Sequence, residues 1–173
     1  APPLASAAHY WRAAAAVARA TDAETAIGAT PSDIALRRGK LSLRRYRARA
    51  APAGGPALLI VHGRVGRASV TDLAPDRSLV GDLLERGADV WTIHWGTPSR
   101  ADRFRSFADH VLDDLAACAD AVGRETGGPP ALLGVCEGGI FALCLAALEP
   151  RAVSGIAAAV TPVDFHADAD ALL

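Results

Sequence analysis

The sequence predicts an α/β fold in which a mostly parallel β-sheet is flanked by helices. Three observations indicate this architecture: short apolar runs typical of buried strands, segments with apolar residues at three- and four-residue intervals, and glycine or proline at the boundaries between them. Buried strands are expected at residues 57–61, 89–93, 131–135 and 155–160. Helical segments separate these strands, which is the pattern of βαβ units and a parallel sheet.

The remaining elements are expected in the following order. The first thirty residues form a helix, residues 30–33 a turn and residues 40–46 a strand. Asp76 caps a helix that Gly87 ends, and the helix after the third buried strand covers residues 138–148. Between them lies a long helix, ended by the glycines and prolines at 127–130, whose apolar stripe comprises Phe104, Phe107, Val111, Leu115, Cys118 and Val122.

Composition and charge argue against several classes of protein. The 173 residues are 51% hydrophobic, which suffices for one compact domain with a buried core. The formal net charge of −1 favours neither nucleic acid nor an acidic membrane surface as a partner. Three irregularly spaced cysteines do not suggest a disulfide scaffold, so a cytoplasmic location is expected. No apolar run has the length of a membrane span.

The strongest chemical signal is the segment from Gly134 to Gly139, which lies between a predicted strand and a predicted helix. It has the pattern of the nucleophile elbow of the α/β-hydrolase fold, with Cys136 in the position of the nucleophile. Gly134 and Gly138 flank the turn, where a side chain would collide with neighbouring backbone. The turn places the sulfur at a helix N-terminus, which favours the thiolate. The alternative is a buried structural cysteine in a glycine-rich turn.

Two backbone N–H groups are predicted to form an oxyanion hole beside Cys136. In this fold one donor is the residue after the nucleophile, here Glu137, and the other lies in the loop after the first buried strand, here Gly63. His62 precedes that glycine, and a structural hydrogen bond is preferred to a catalytic role for its ring.

A cysteine nucleophile also needs a base and an acid, which in this fold follow it in the chain. Asp164 and His166 are the only candidates after Cys136, but they are too close together to occupy two separate loops. The acid and base are therefore expected beyond Leu173, in keeping with a sheet truncated after the strand at 155–160. Residues 1–50 are interpreted as an N-terminal helix with leading strands, and residues 51–173 as the N-terminal part of the α/β-hydrolase core.

The other polar and sulfur-bearing side chains have simpler interpretations. Cys118 and Cys144 fall on helices and are predicted to be packed and inert. Together with His62 and His94 they do not have the spacing of a metal site, and none is predicted. A solvated surface is the preferred interpretation for several arginines that could instead face an anionic ligand: Arg64, Arg67, Arg77, Arg100 and Arg103.

Several sequence blocks together resemble one enzyme family, the poly(3-hydroxyalkanoate) synthases, and most closely their short-subunit class III type. The resemblance extends over nearly the whole chain from Thr30 onward. The blocks occur in the family's order: residues 30–33, 40–46, 58–61, 71–73, 76–80, 95–98 with 102–103, 134–139 and 161–165.

This resemblance implies polymerisation of (R)-3-hydroxyacyl-CoA into polyester with release of CoA, and no cofactor beyond the acyl-CoA substrate. The elbow cysteine, matched here by Cys136, carries the growing chain as a thioester, while the family's aspartate and histidine have no match in this chain. A second, non-catalytic synthase subunit, a homodimer and the surface of cytoplasmic polymer granules are the implied partners and location.

Three positions depart from the family pattern: Glu137 stands where Gln or an apolar residue is usual, His62-Gly63 replaces apolar or aromatic residues, and His94 replaces an aspartate. Two alternatives are kept. The His62-Gly63 loop motivates a cysteine hydrolase of the same fold, such as a thioesterase or lactone hydrolase. The missing acid and base and the aromatic N-terminal helix motivate a non-catalytic, granule-associated subunit.

Overall fold

A computed structural model of the chain describes Trp11, which is helical, and residues 27–164. A helix was expected over the first thirty residues, and its positions 1–10 and 12–26 lie outside the described residues. At Ile27 the chain forms a turn instead of a helix. The described strands are β1 (Ser32–Arg38), β2 (Leu41–Tyr46), β3 (Leu58–His62), β4 (Asp72–Ala74), β5 (Arg77–Ser78), β6 (Val90–His94), β7 (Ala131–Val135) and β8 (Gly155–Ala159). The helices are α1 (Leu79–Glu85), α2 (Ala116–Thr126) and α3 (Glu137–Leu148), and a π-helical segment, Asp109–Leu115, continues directly into α2.

Six of these strands form one mixed sheet in the order β1-β2-β6-β3-β7-β8, while β4 and β5 pair separately. β6, β3, β7 and β8 run parallel, and β1 and β2 form an antiparallel edge. After β3 the chain first forms β6, which pairs with one edge of β3, and later β7, which pairs with the opposite edge of β3. The carboxyl end of β3 therefore lies at a topological switch point, where open α/β sheets bind ligands. The predicted fold class is confirmed.

Helices cover both faces of the sheet. The larger apolar cluster lies between the sheet and the π-helical segment, α2 and α3, and it includes Leu59, Val61, Trp91, Ile93, Leu115, Cys118 and Phe141. The smaller cluster lies under α1 and includes Tyr46, Ile60, Val80, Leu84 and Val90. Alternate residues of β3 and β6 thus point to opposite faces, as in any strand. At the other edge, all five residues of β8 are exposed.

The four strands that the sequence predicts as buried are confirmed in position to within one residue at either end, but β8 is exposed over its whole length because it forms the edge of the described sheet. Strand β1 was not predicted, because residues 30–33 were interpreted as a turn, whereas Ser32 begins a strand. This edge strand has no fully buried residue and therefore lacks the apolar run by which a buried strand is recognised.

The two predicted helix starts are wrong in detail. Ser78, not Asp76, caps α1: its Oγ accepts a hydrogen bond from the Gly81 N–H at 2.8 Å. The long helix starts after Phe104, whose side chain is 81% exposed and lies beneath the Arg103 guanidinium. The rest of the predicted stripe is confirmed: Phe107 packs against Phe141, and the larger cluster contains the remaining four residues, Val111, Leu115, Cys118 and Val122.

A buried carboxylate organises the chain before α1. Asp72 is 3% exposed and accepts hydrogen bonds from the Thr30 N–H at 3.0 Å, the Thr30 hydroxyl at 2.8 Å and the Ser78 hydroxyl at 2.6 Å. Since Ser78 also caps α1, Asp72 connects the entrance of β1 to the start of that helix. The sequence block at 71–73 therefore has a structural explanation.

Candidate active site

Cys136 lies in the turn between β7 and α3, at the carboxyl end of the parallel strands. Its backbone angles, φ 55° and ψ −125°, are rare for a residue other than glycine and indicate local strain. The Cys136 N–H donates to the Ala159 carbonyl at 3.0 Å, which holds the strained residue against the end of β8. The side chain is exposed. This is the backbone geometry of a nucleophile elbow.

Close backbone contacts explain the two glycines that flank the turn. A Cβ on Gly134 would lie 2.3 Å from the Gly139 Cα, and one on Gly138 would lie 1.9 Å from the Val61 carbonyl oxygen. Both distances are far below van der Waals contact, so no larger residue fits at either position without moving β7, β3 or α3. The elbow can bring α3 this close to the sheet only because both positions are glycine.

The three cysteines lie in different environments. Cys136 is exposed at the N-terminus of α3, where the first N–H groups of a helix have no intrahelical acceptor and face a negative charge favourably. Cys118 is fully buried, and this burial raises the pKa of its thiol to about 12. Cys144 is partly buried on α3. Among the cysteines, the position of Cys136 is the one suited to a nucleophile.

The loop after β3 contacts the first residue of α3. A Cβ on Gly63 would lie 3.2 Å from both Cβ and Oε2 of Glu137 and 3.7 Å from its backbone nitrogen. The N–H that points to this residue is that of Arg64, which donates to Glu137 Oε2 at 2.7 Å. Gly63 thus lies in the expected place beside Glu137, but the loop N–H that donates to the Glu137 side chain belongs to Arg64. The oxyanion roles of Gly63 and Glu137 stay predictions.

His62 anchors this loop rather than facing the site. Its ring is 4% exposed, and its Nδ1 donates to the Gly63 carbonyl at 2.6 Å. Burial lowers the pKa of His62, so the ring is neutral at pH 7. The Trp95 indole N–H donates to the His62 carbonyl at 2.9 Å and fixes the loop from the β6 side. These contacts agree with the structural interpretation of His62.

A histidine–aspartate pair that sequence reasoning missed lies behind the same loop. His110 Nδ1 lies 3.2 Å from Asp114 Oδ2, both side chains are buried, and the Arg64 guanidinium contacts His110 Nε2. Asp114 also pairs with Arg105 at 2.8 Å. Burial first, and the Arg64 charge second, lower the pKa of His110. The only signal in the sequence is the i, i+4 spacing of the pair on a helix.

These groups line a cavity of about 240 Å³ at the carboxyl edge of the sheet. Its charged lining comprises Arg38, Lys40, Arg64, Arg105, Asp102 and Asp114. Of the five arginines that the sequence analysis considered for an anionic ligand, only Arg64 reaches it. The other four are exposed, in agreement with a solvated surface.

Only one of the two candidates for the acid and the base downstream of Cys136 falls within the described residues. Asp164 is described and lies in the segment after β8, whereas His166 is outside the described residues. Within residues 27–164, no three His, Cys, Asp or Glu side chains are arranged to hold a metal ion. In the same part of the chain, no helix is long and apolar enough to cross a membrane.

The fold and the elbow define a class of protein that comparison with known families also finds. The family model described as the alpha/beta hydrolase fold matches residues 56–172, and the chain belongs to this family. The Francisella virulence factor BioJ has a similar structure, with a TM-score of 0.62 at 14% identity over 94% of this chain and 52% of its own. A likeness at this identity shows the fold alone.

Sequence comparison finds more specific relatives. The chain is 41% identical over 142 residues to the poly(3-hydroxyalkanoate) polymerase subunit PhaC of Allochromatium vinosum, covering 80% of this chain and 40% of that protein. It is 39% identical over 141 residues to the subunit PhaC of a Synechocystis species, covering 81% and 37%. The resemblance to poly(3-hydroxyalkanoate) synthases is thereby confirmed. The chain spans about two fifths of the length of these relatives.

Proposed function

We propose that this chain carries the nucleophile of a poly(3-hydroxyalkanoate) synthase-type acyltransferase, which polymerises (R)-3-hydroxyacyl-CoA and releases CoA. The observation that carries the proposal is the exposed Cys136 in a strained elbow at the N-terminus of α3. The polymerase subunits that match most of the chain support the choice of substrate.

The reaction begins with attack of the Cys136 thiolate on the thioester carbon. A new C–S bond forms, the carbonyl electron pair moves to the oxygen, and collapse of the tetrahedral intermediate expels CoA as a thiolate. Backbone N–H groups at the start of α3 and in the loop after β3 are the proposed donors that stabilise the charge on that oxygen. The acyl group then remains on Cys136 until the 3-hydroxyl group of another monomer attacks its carbonyl carbon. The new C–O bond replaces the C–S bond, Cys136 leaves as the thiolate, and a base takes the hydroxyl proton.

The acid and base of this cycle are proposed to lie outside these 173 residues, since the resemblance matches only the cysteine. We therefore expect the 173-residue chain alone to accept one acyl group from a reactive donor without sustaining polymerisation. No cofactor besides the acyl-CoA is needed for these steps.

Assembly and location follow from the same resemblance. The matched relatives are polymerase subunits, which supports a second synthase subunit as a partner, together with a homodimer. The surface of polymer granules in the cytoplasm is the proposed location. Co-purification of a tagged copy from polymer-accumulating cells, followed by size measurement, tests each of these points.

The test of the function is a direct search for the acyl-enzyme. Protein that includes this chain and its downstream segment is incubated with (R)-3-hydroxybutyryl-CoA, and CoA release, polymer and the mass of the Cys136 peptide are measured. CoA release, polymer and hydroxybutyryl groups on Cys136 are expected, and all three should vanish in Cys136→Ala. Polymer formation by Cys136→Ala would end the proposal. Free 3-hydroxy acid without polymer would instead identify a cysteine hydrolase, and no acylation at all a non-catalytic subunit.

A further inference from the structure

The side chain of Glu137 binds the backbone donor that faces the start of α3. Glu137 Oε2 accepts the Arg64 N–H at 2.7 Å, within the range of charge-assisted hydrogen bonds. The side chain packs against Gly63, where a Cβ would come within 3.2 Å of the carboxylate. A carboxylate that belongs to the chain itself thus binds the loop N–H next to the candidate nucleophile.

Under the proposed function, acyl transfer at Cys136 uses a donor from this same loop. In the elbow geometry the oxygen of the tetrahedral intermediate is bound between the N–H after the nucleophile and an N–H of the loop after β3. The first is the backbone N–H of Glu137, the opening residue of α3. The loop N–H directed at that residue is the one of Arg64, and it already donates to a carboxylate oxygen. The acyl oxygen and the Glu137 carboxylate therefore compete for one donor.

We propose that Glu137 is a positioning residue whose carboxylate acts as a built-in competitor of the acyl oxygen for the Arg64 N–H. The proposal rests on the proposed function and adds a determinant of its rate. Acylation of Cys136 requires the Glu137 side chain to leave the loop, and its partial exposure gives it a path to solvent. With a neutral or shorter residue at position 137, the Arg64 N–H is released before acylation begins.

The size of the effect follows from the contact that has to break. The net strength of a hydrogen bond to a charged group corresponds to about ten- to a hundredfold in a rate. Glu137→Ala removes the competitor and should raise the acylation rate by about that factor. Glu137→Gln keeps the shape and leaves a neutral amide oxygen on the donor, so its increase should be smaller.

The experiment compares two reagents at the same sulfur. 4-Nitrophenyl acetate acylates Cys136 through a tetrahedral intermediate that needs the oxyanion donors. Its leaving group departs without a general acid, so the rate reports on the thiolate and the oxyanion donors, and the protein used includes this chain and its downstream segment. Iodoacetamide alkylates the sulfur by direct displacement and forms no oxyanion. Both rates are measured under single-turnover conditions from the mass of the Cys136 peptide, which separates this residue from the other cysteines.

The ratio of the two rates separates competition from a general charge effect. A carboxylate that merely disfavours the thiolate slows both reagents equally, whereas a competitor for the donor slows acylation alone. We expect Glu137→Ala to raise the ratio of acylation to alkylation by about ten- to a hundredfold. The matched control is Glu149→Gln, which removes the same charge from the exposed residue after the other end of α3 and should leave the ratio unchanged.

Every outcome counts for or against the proposal. An unchanged or lower ratio in both Glu137→Ala and Glu137→Gln overturns it, with the proposed function intact as long as wild-type Cys136 is acylated. Equal acceleration of both reagents also overturns it, because the effect would then be on the sulfur. If Cys136 is alkylated but not acylated in any of the proteins, the proposed function fails, and the role of Glu137 fails with it.

Discussion

Replacing the buried carboxylate of Asp72 should destabilise the chain by about 3 kcal/mol, and the hydrogen bonds that it accepts give this magnitude. In Asp72→Ala the buried Thr30 N–H loses its acceptor, which costs about 1 to 3 kcal/mol for a buried donor. The Thr30 and Ser78 hydroxyls lose a charged acceptor as well, at about 1 kcal/mol or more each after they rotate to other partners. Relief of the carboxylate's own desolvation offsets part of this loss.

Urea unfolding followed by circular dichroism measures the free energy of unfolding of Asp72→Ala against the unmodified chain. Asp76→Ala is the matched control, because Asp76 is an exposed carboxylate four positions after Asp72 and does not cap α1. The free energy of unfolding of Asp76→Ala should stay within about 0.5 kcal/mol of that of the unmodified chain. Asp72→Asn keeps one acceptor oxygen and should fall between the two. Equal stability of Asp72→Ala and Asp76→Ala would refute the assignment of Asp72 as the organiser of this region.

Three further predictions use the same chain. Gly138→Ala places a Cβ 1.9 Å from the Val61 carbonyl oxygen, so urea unfolding should show a loss of at least about 1 to 3 kcal/mol. A chromogenic disulfide at pH 8 should react with Cys136 in the folded chain but with Cys118, whose pKa burial raises to about 12, only after denaturant is added. Burial lowers the pKa of His94 from 6.5 to about 4, so the unfolded chain takes up its proton first as the pH falls. The contribution of neutral His94 to the free energy of unfolding should therefore be fully present above pH 6.5 and be lost towards pH 4. The loss should be about 1 to 2 kcal/mol after allowance for the partial exposure of the ring. A pH-independent difference in stability between His94→Gln and the parent chain would contradict this.

The sequence predicts the parallel sheet well because its strands have a local signal, which β8 shares although all five of its residues are exposed at the edge of the sheet. The runs that became β3, β6, β7 and β8 are continuous apolar segments, and such a run has few alternatives when turn residues bound it. Strand β1 carries no such run, because an exposed edge strand needs only its partner's hydrogen bonds and not an apolar face.

The contacts of the site were less accessible to sequence reasoning. The turn at Cys136 has a sequence signature because steric contact demands glycine on both sides of it. The contact between the Glu137 carboxylate and the Arg64 N–H has none, since it joins two loops that are 73 positions apart and depends on how α3 packs against β3. The loop N–H that donates to the Glu137 side chain belongs to Arg64, the residue after Gly63, and the oxyanion role of Gly63 stays a prediction.

The pair of His110 and Asp114 has the form of a catalytic base with its orienting acid, but its surroundings assign it another role. The Nδ1–H of His110 donates to Asp114, so the lone pair of a neutral ring lies on Nε2, and the Arg64 guanidinium contacts that atom. A base needs this lone pair free for the proton of the nucleophile. The pair instead holds the loop after β3 from behind, because His110 contacts the side chain of the same Arg64 whose backbone N–H donates to Glu137. The position of the proposed oxyanion donor therefore depends on the contact of the Arg64 side chain with His110, whereas Glu137 occupies the donor itself.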